Sequence, residues 1–300
     1  MKSIRIGEKI IGDNAPCCIS FEPSASYSDF ESAKMMIKTT AIAGADAIKF
    51  QTFLPGNAKR LMAKDSMIEF TTTTGKKKES IFEALKKREL TEEEWTELID
   101  YTKELGLLFI STPVFIDTVD FLSNAKADIL KVSKGDVDNT LLIDHMSKSG
   151  LPIILDGREK FENVDIAIKI CEKNHNRNII VLHCPSGYPA ENAGVHLNTL
   201  TSINEKYNYP VGFADHSPGG IMNYAAVSLG AKMLEKTITP DKSIEHVEHF
   251  MSLEPTELKQ FVENVRAIEE AMGDPNVFLT SRVSPELRRG IVAKNDIKKG

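Results

Sequence analysis

Cysteine is scarce in this chain, and the four present, Cys17, Cys18, Cys171 and Cys184, fit neither a zinc-ligand spacing nor a disulfide framework. Cys17 and Cys184 lie in strand-like runs and read as reduced core residues. Long apolar runs are missing too. None approaches the roughly 18 residues of a membrane span, and the first residues lack the charged-then-apolar pattern of a secretory signal. The expectation is a cytoplasmic protein with no membrane partner. Positive charge is not in excess, and a formal net charge of −6 argues against a nucleic-acid-binding surface. There is no internal repeat and no low-complexity stretch, so solenoid and disordered classes drop out. What remains is an ordinary globular composition, 41% hydrophobic and 27% charged, in 300 residues. That length suits a single (β/α)8 barrel of roughly 250 residues.

Short apolar runs that each end in a polar cluster mark the chain. They are GADAIKFQT (44–52), LLFISTP (107–113), ADILKVSKGD (127–136), LPIILDGRE (151–159), IIVLHCPSGYP (179–189) and VGFADHSPGG (211–220). Each has strand length and follows an amphipathic helical stretch. APCCISFE (15–22) reads as the first strand and 231–235 as the eighth. A buried strand that ends in Lys, Gln, Thr, Asp or His is wasteful unless those groups meet. In a (β/α)8 TIM barrel they do meet, because every strand points its C-terminal end at the face that carries the active site. Residues 3–11 alternate around Gly7-Glu8 and suggest an N-terminal β-hairpin that plugs the opposite end. Residues 54–78 are polar without a firm period and read as a long loop.

Several residues in these clusters can carry chemistry. Lys49 and Gln51 share one strand face, and Lys131 ends another strand. Two inward lysines near Thr112 point to a phosphate or carboxylate site, since lysine is rarely buried unpaired. Glu22 and Asp136 end strand-like runs, as an acid/base or as acceptors for sugar hydroxyls. His216 stands between a strand and a helix start, as a metal ligand, an acid/base or a helix cap. His246, Glu248 and His249 lie close together, with a weak metal-binding spacing or an ordinary solvated loop as the alternatives. Tyr188 reads as a turn residue that also faces the pocket. His183 reads as a core histidine, and His145, His175 and His196 as helical residues without a functional role.

At these positions the chain resembles the sialic acid synthase family. The motifs GADAIKFQTF, ISTPV, LKVSKGD, VLHCPSGYP, GFADHSPGG, GAKMLEK and SLEPTEL follow the family's order across nearly the whole chain. The resemblance implies a transferase of carbohydrate biosynthesis, similar to N-acetylneuraminate synthase. Such an enzyme condenses phosphoenolpyruvate with an amino-sugar aldehyde. By the same resemblance, Lys49, Lys131 and Thr112 hold phosphoenolpyruvate. Gln51, Asp136, Tyr188 and Glu248 match sugar positions, Glu22 matches the first-strand glutamate, and His216 matches one of two manganese-binding histidines. A divalent metal, Mn or Mg, is the implied cofactor, with no organic cofactor. The implied partners are small-molecule substrates and a second copy in a homodimer. RRGIVAKNDIKKG (288–300) is similar to the start of the family's C-terminal antifreeze-like domain. The expected organisation is a barrel over 1–280 and an incomplete capping domain over 281–300.

The chain departs from the family pattern inside the site. EKTI puts Thr237 at the second metal histidine, which predicts a weakened metal site. Lys134 and Ala214 stand where the family has serines, Asp156 falls in LDGRE where the family reads LSTGM, and Gly187 replaces an asparagine. Lys134 or Arg158 is expected to pair with Asp156. Lys134 is therefore counted with the substrate-binding residues. Three readings follow: a synthase with an altered acceptor, a diverged enzyme acting on a phosphorylated or acidic sugar, and a non-catalytic homologue.

Overall fold

The structure, a computed structural model, describes residues 2–23, 26–157, 160–274 and 289–300. The chain opens with an antiparallel hairpin, β1 (Ser3–Ile6) and β2 (Lys9–Gly12). The barrel strands are β3 (Cys18–Glu22), β4 (Ala47–Thr52), β7 (Leu108–Pro113), β8 (Ile129–Val132), β9 (Ile153–Asp156), β10 (Ile179–His183), β11 (Val211–Asp215) and β12 (Met233–Thr237). They pair in parallel, in chain order, and close on themselves through β12 and β3. The fold is the expected (β/α)8 TIM barrel.

Between the strands run α1 (Phe30–Ile42), α4 (Glu92–Glu104), α5 (Ile116–Asn124), α6 (Thr140–Lys148), α7 (Phe161–Lys173), α8 (Thr199–Lys206), α9 (Ile221–Ser228) and α10 (Pro255–Met272). Their starts are chemically specified. Asp29 and Thr91 cap α1 and α4 in reciprocal capping boxes with Ser32 and Glu94, and Pro255 opens α10. The stretch expected to be a loop holds structure of its own: α2 (Asn57–Leu61), a hairpin of β5 (Met67–Thr72) and β6 (Gly75–Ser80), and α3 (Ile81–Lys86). The exposed face of β6 is polar throughout, so the alternation that would announce a strand is absent. His175 and His196 are not helical; both sit in left-handed turn conformations, with φ of 60° and 48°.

Strand alternation divides the core in two. Outward residues such as Ile19, Phe21, Phe50, Phe109, Leu155, Val181, Phe213 and Leu234 pack under the helices in one large cluster. Tyr27, Phe50, Trp95 and Phe109 stack within it, and Trp95 Nε1 donates to the Phe53 carbonyl at 3.1 Å. Inward residues form a second cluster. Cys18, Ala47, Leu108, Ile110, Ile129, Ile154, Ile180, Leu182 and Met233 fill the barrel, and Ile4, Ile6 and Ile11 of the first hairpin join them. The hairpin therefore plugs the end away from the strand C-termini. All four cysteines are free thiols in buried positions.

The seam between the first and last elements is polar. Arg266 on α10 donates to the Cys17 carbonyl at 2.8 Å and pairs with Asp46 at 2.7 Å. Asp46 in turn accepts the Ile19 amide at 3.0 Å. The boundary expected at 280/281 lies outside the described residues, and residues 289–300 are exposed and carry no helix or strand.

Gly212 on β11 is required by packing. A Cβ there would meet Leu182 Cδ2 at 2.5 Å and the Met233 carbonyl at 2.6 Å. Gly212→Ala should lower stability by roughly 1–3 kcal/mol, the usual cost of overpacking. The expected readout is a lower urea midpoint with an unchanged denaturant slope.

Candidate active site

At the C-terminal mouth of the barrel the inward positions change from apolar to charged. Continuing the alternation upward from Cys18, Ala47, Ile129, Ile154 and Met233 gives Glu22, Lys49, Lys131, Asp156 and Glu235. These side chains surround a cavity of 290 Å³. Gln51, Thr112, Ser133, Lys134, Gly135, Tyr188, His216 and Glu248 complete its wall. Ten residues named from sequence thus meet: Glu22, Lys49, Gln51, Thr112, Lys131, Lys134, Asp156, Tyr188, His216 and Glu248.

Asp136 does not join them. It ends a single 3₁₀ turn and accepts the Ser133 hydroxyl at 2.7 Å, which fixes the loop after β8. His246 and His249 are also turned away from the cavity. His246 Nδ1 meets Glu79 at 2.6 Å, and buried His249 bonds Thr239 Oγ1 at 2.6 Å. Outward-facing His183 bonds the Val195 carbonyl at 2.6 Å, a structural role as expected. Arg158, the alternative partner expected for Asp156, lies outside the described residues. Sequence reading undervalued Glu235. The signal was present, because Met233 and Glu235 share the inward face of β12.

The charges inside the barrel are organised as two ion pairs. Lys49 binds Glu22, and Lys131 binds Glu235, with all four side chains buried. Burial alone would raise the pKa of Glu22, but Lys49, Lys131 and His216 outweigh it and hold the carboxyl well below its ordinary range. Glu235 goes the other way. Burial, with the Glu22 charge beside it, pushes it up against the opposing pull of Lys131. Its Oε2 is buried with no hydrogen-bond partner among the described residues, and the carboxyl faces Glu22. Lys131 is held protonated above its ordinary value, because Glu235, Glu22 and Asp156 together overcome its desolvation. Glu248, on the loop after β12, is pushed up to about 7 by burial and by Glu22, with Arg88 and Lys49 opposing. Its backbone is left-handed, with φ of 73°, a strained setting for a residue with a side chain.

His216 follows β11 and is buried. Its ring lies 4.7 Å from that of Tyr188, and its Nδ1 is 3.8 Å from Cys184 Sγ. Lys134 Nζ donates to Ser186 Oγ at 3.2 Å and adds a third ammonium to the wall. The hydroxyls of Thr112 and Thr237 are buried with no hydrogen-bond partner among the described residues. An unpartnered buried hydroxyl in a cavity wall is a natural contact for a ligand oxygen. The cavity thus combines ammonium groups for an anion, a Glu22 carboxylate held ionised, and two carboxyls, Glu235 and Glu248, whose acidity burial weakens.

Comparison with known proteins gives the chain's family and relatives. A family model described as the NeuB family matches residues 36–277. The N,N'-diacetyllegionaminic acid synthase of Campylobacter jejuni is 34% identical over 91% of the chain and 83% of its own length. Pseudaminic acid synthase from the same organism is 32% identical over 93% of the chain and 82% of its own length. Among solved structures, the N-acetylneuraminic acid synthetase of Leptospira borgpetersenii, in complex with citrate, superposes with a TM-score of 0.82. It is 28% identical, and the match covers 93% of each chain.

Two outcomes follow from the buried charges. Lys131→Met should destabilise the fold by about 3–5 kcal/mol, because it strands Glu235 in the barrel. Adding Glu235→Gln should recover most of that loss in a double-mutant cycle of urea midpoints, and additive losses would contradict the pairing. Glu248 gives a pH signature. The unfolded chain releases its proton near the ordinary 4.5 and the folded chain near 7, so the folded state binds more protons between those values. Stability from this group is full below the lower value and falls as pH rises through the upper one. Glu248→Gln should therefore gain stability relative to the parent between pH 5 and pH 8. A difference that stays constant across that range would contradict the assignment.

Proposed function

Because the chain belongs to the NeuB family, the sialic acid synthases, we propose that it condenses phosphoenolpyruvate with an amino-sugar aldehyde to form a nonulosonic acid. One observation carries the reading: two buried Lys–Glu pairs, with carboxyls of opposite acidity, converge in a single cavity at the barrel mouth. Lysines already paired with carboxylates keep further N–H donors for a ligand. The Lys49 and Lys131 ammoniums and the Thr112 hydroxyl take the phosphate and carboxylate of phosphoenolpyruvate. Gln51, Tyr188 and Glu248 line the side left for the sugar, and a protonated Glu248 can donate to a sugar hydroxyl.

The chemistry then needs an acid and a base in one site. Carboxyls whose environments push their acidities apart supply both. The enol carbon attacks the aldehyde carbon, and the aldehyde oxygen takes a proton from an acid of the wall, Glu235 or His216. The new bond leaves a cationic carbon that bears the phosphate ester oxygen. Water adds to that carbon and gives its proton to Glu22, which the surrounding cations keep ionised. Collapse of the adduct breaks the carbon–oxygen bond to the phosphate, the proton of the new hydroxyl leaves with inorganic phosphate, and the keto acid remains.

Family members of this kind imply a divalent metal, so the donor set matters. Among the described residues no three His, Cys, Asp or Glu side chains are grouped to hold an ion. Thr237 stands in the wall-facing register of β12 next to Glu22, and a neutral hydroxyl is a poor replacement for imidazole. The residues present do not fit a tightly held ion, and the steps above use only the chain's own groups. The acceptor is a sugar of the class used by the two Campylobacter synthases, and Lys134 favours one with added negative charge.

Purified protein should release phosphate from phosphoenolpyruvate with at least one member of a panel of N-acetylated amino-sugar aldehydes, and Lys49→Met should abolish the release. No release with any acceptor would refute the synthase reading. Dialysis should remove added manganese. A stoichiometric ion that survives dialysis, and is lost on His216→Ala, would overturn the reading of the donor set.

A further inference from the structure

Lys236 is a charged side chain in the wrong layer. Leu234 and Lys236 alternate on the outer face of β12, between the inward residues Glu235 and Thr237. Leu234 packs in the apolar core beneath the helices, and Lys236 is fully buried on the same face. Its partner is its direct neighbour in register on β11, Asp215, and that residue is fully buried as well. Packing does not account for such a pair. An apolar pair of similar volume would serve the core as well or better.

The hydrogen bonds of the pair supply the reason. Lys236 Nζ donates to Asp215 Oδ2 at 2.8 Å and also to the carbonyl of Ser217. The other oxygen of Asp215 accepts the Ser217 amide at 2.8 Å and the Ser217 hydroxyl at 2.7 Å. One ammonium and one carboxylate thus fix the chain on both sides of a single residue, His216. From the cavity side, Ala190 N donates to the His216 carbonyl at 2.9 Å. The imidazole then stands against Tyr188 and Cys184 with its backbone held at three points.

We propose that Lys236, through Asp215, is a positioning residue that sets the direction of the His216 imidazole in the cavity. It touches no substrate. It acts on the backbone turn where β11 leaves the barrel and His216 enters the site. The same strand carries Glu235 on its opposite face, so one element aligns two groups of the wall. The inference rests on the reading above only in taking His216 as a working residue.

The test uses full-length Lys236→Met with ¹⁵N-labelled histidine, and reads imidazole cross-peaks in long-range ¹H–¹⁵N spectra. His216→Ala identifies the His216 signals. The expected result is a folded protein in which the His216 signals move and those of His183 and His249 do not. In the phosphate-release assay kcat should fall about 100-fold, the scale of a 1 Å misplacement, while KM for phosphoenolpyruvate changes little. Unmoved His216 signals in folded Lys236→Met would overturn the proposal. If that variant does not fold, the isosteric Asp215→Asn decides by the same spectra, with moved signals in favour and unmoved signals against. If the parent protein releases no phosphate, the synthase reading fails while the spectra still judge the clamp.

Discussion

The interior of this barrel must hold lysines and glutamates out of water, and mutual neutralisation is what makes that tolerable. Lys49 with Glu22 and Lys131 with Glu235 occupy positions that a purely structural barrel fills with branched apolar side chains. Desolvating any one of these groups alone would cost several kcal/mol. The strands, the plugging hairpin and the helix ring therefore serve a polar cluster whose members depend on one another. Apolar filling from Ile4 to Ile154 closes the lower part of the barrel and leaves the upper part to the charges.

Unequal acidity is the second consequence of that arrangement. Glu22 has two ammonium groups and a histidine near it and stays ionised, whereas Glu235 and Glu248 face an already negative neighbour and keep their protons more tightly. The same residue type is thus shifted in opposite directions within one cavity, through environment alone. The unpartnered hydroxyl of Thr112 and the ammonium of Lys134 add contacts suited to an anionic ligand. This combination is what gives the family resemblance a chemical meaning in this chain.

Outside the barrel, polar devices hold the working parts in register. The Arg266–Asp46 seam ties the last helix to β3 and the start of β4. The β5–β6 hairpin reaches the loop that carries Glu248: Glu79 accepts from His246 and from the Val247 amide at 3.1 Å, and Thr74 meets Glu245 at 2.5 Å. Through these contacts a segment distant in sequence supports the strained backbone of Glu248. The Lys236–Asp215 pair does the same for His216.

Strand order, barrel class and most of the cavity wall were legible in the sequence, because each depends on local regularities. Apolar runs of strand length with polar ends, capped helices between them and a period of two along each strand were enough to place Lys49, Lys131, Glu22 and His216 at one mouth. Other features depended on contacts between distant segments. The hairpin within 67–80 shows no hydrophobic alternation, since its outer strand is polar on both faces. Asp136 looked like a site residue from its place at a strand end, yet a 3₁₀ turn bends it toward Ser133. The pairing of Glu235 with Lys131, 104 residues away, could not be read from either neighbourhood. Sequence alone determined which side chains face inward, because that follows from the geometry of each strand. Only the closed barrel decided which charges meet, because closure sets the distances across its interior, and those distances push the carboxyl acidities apart.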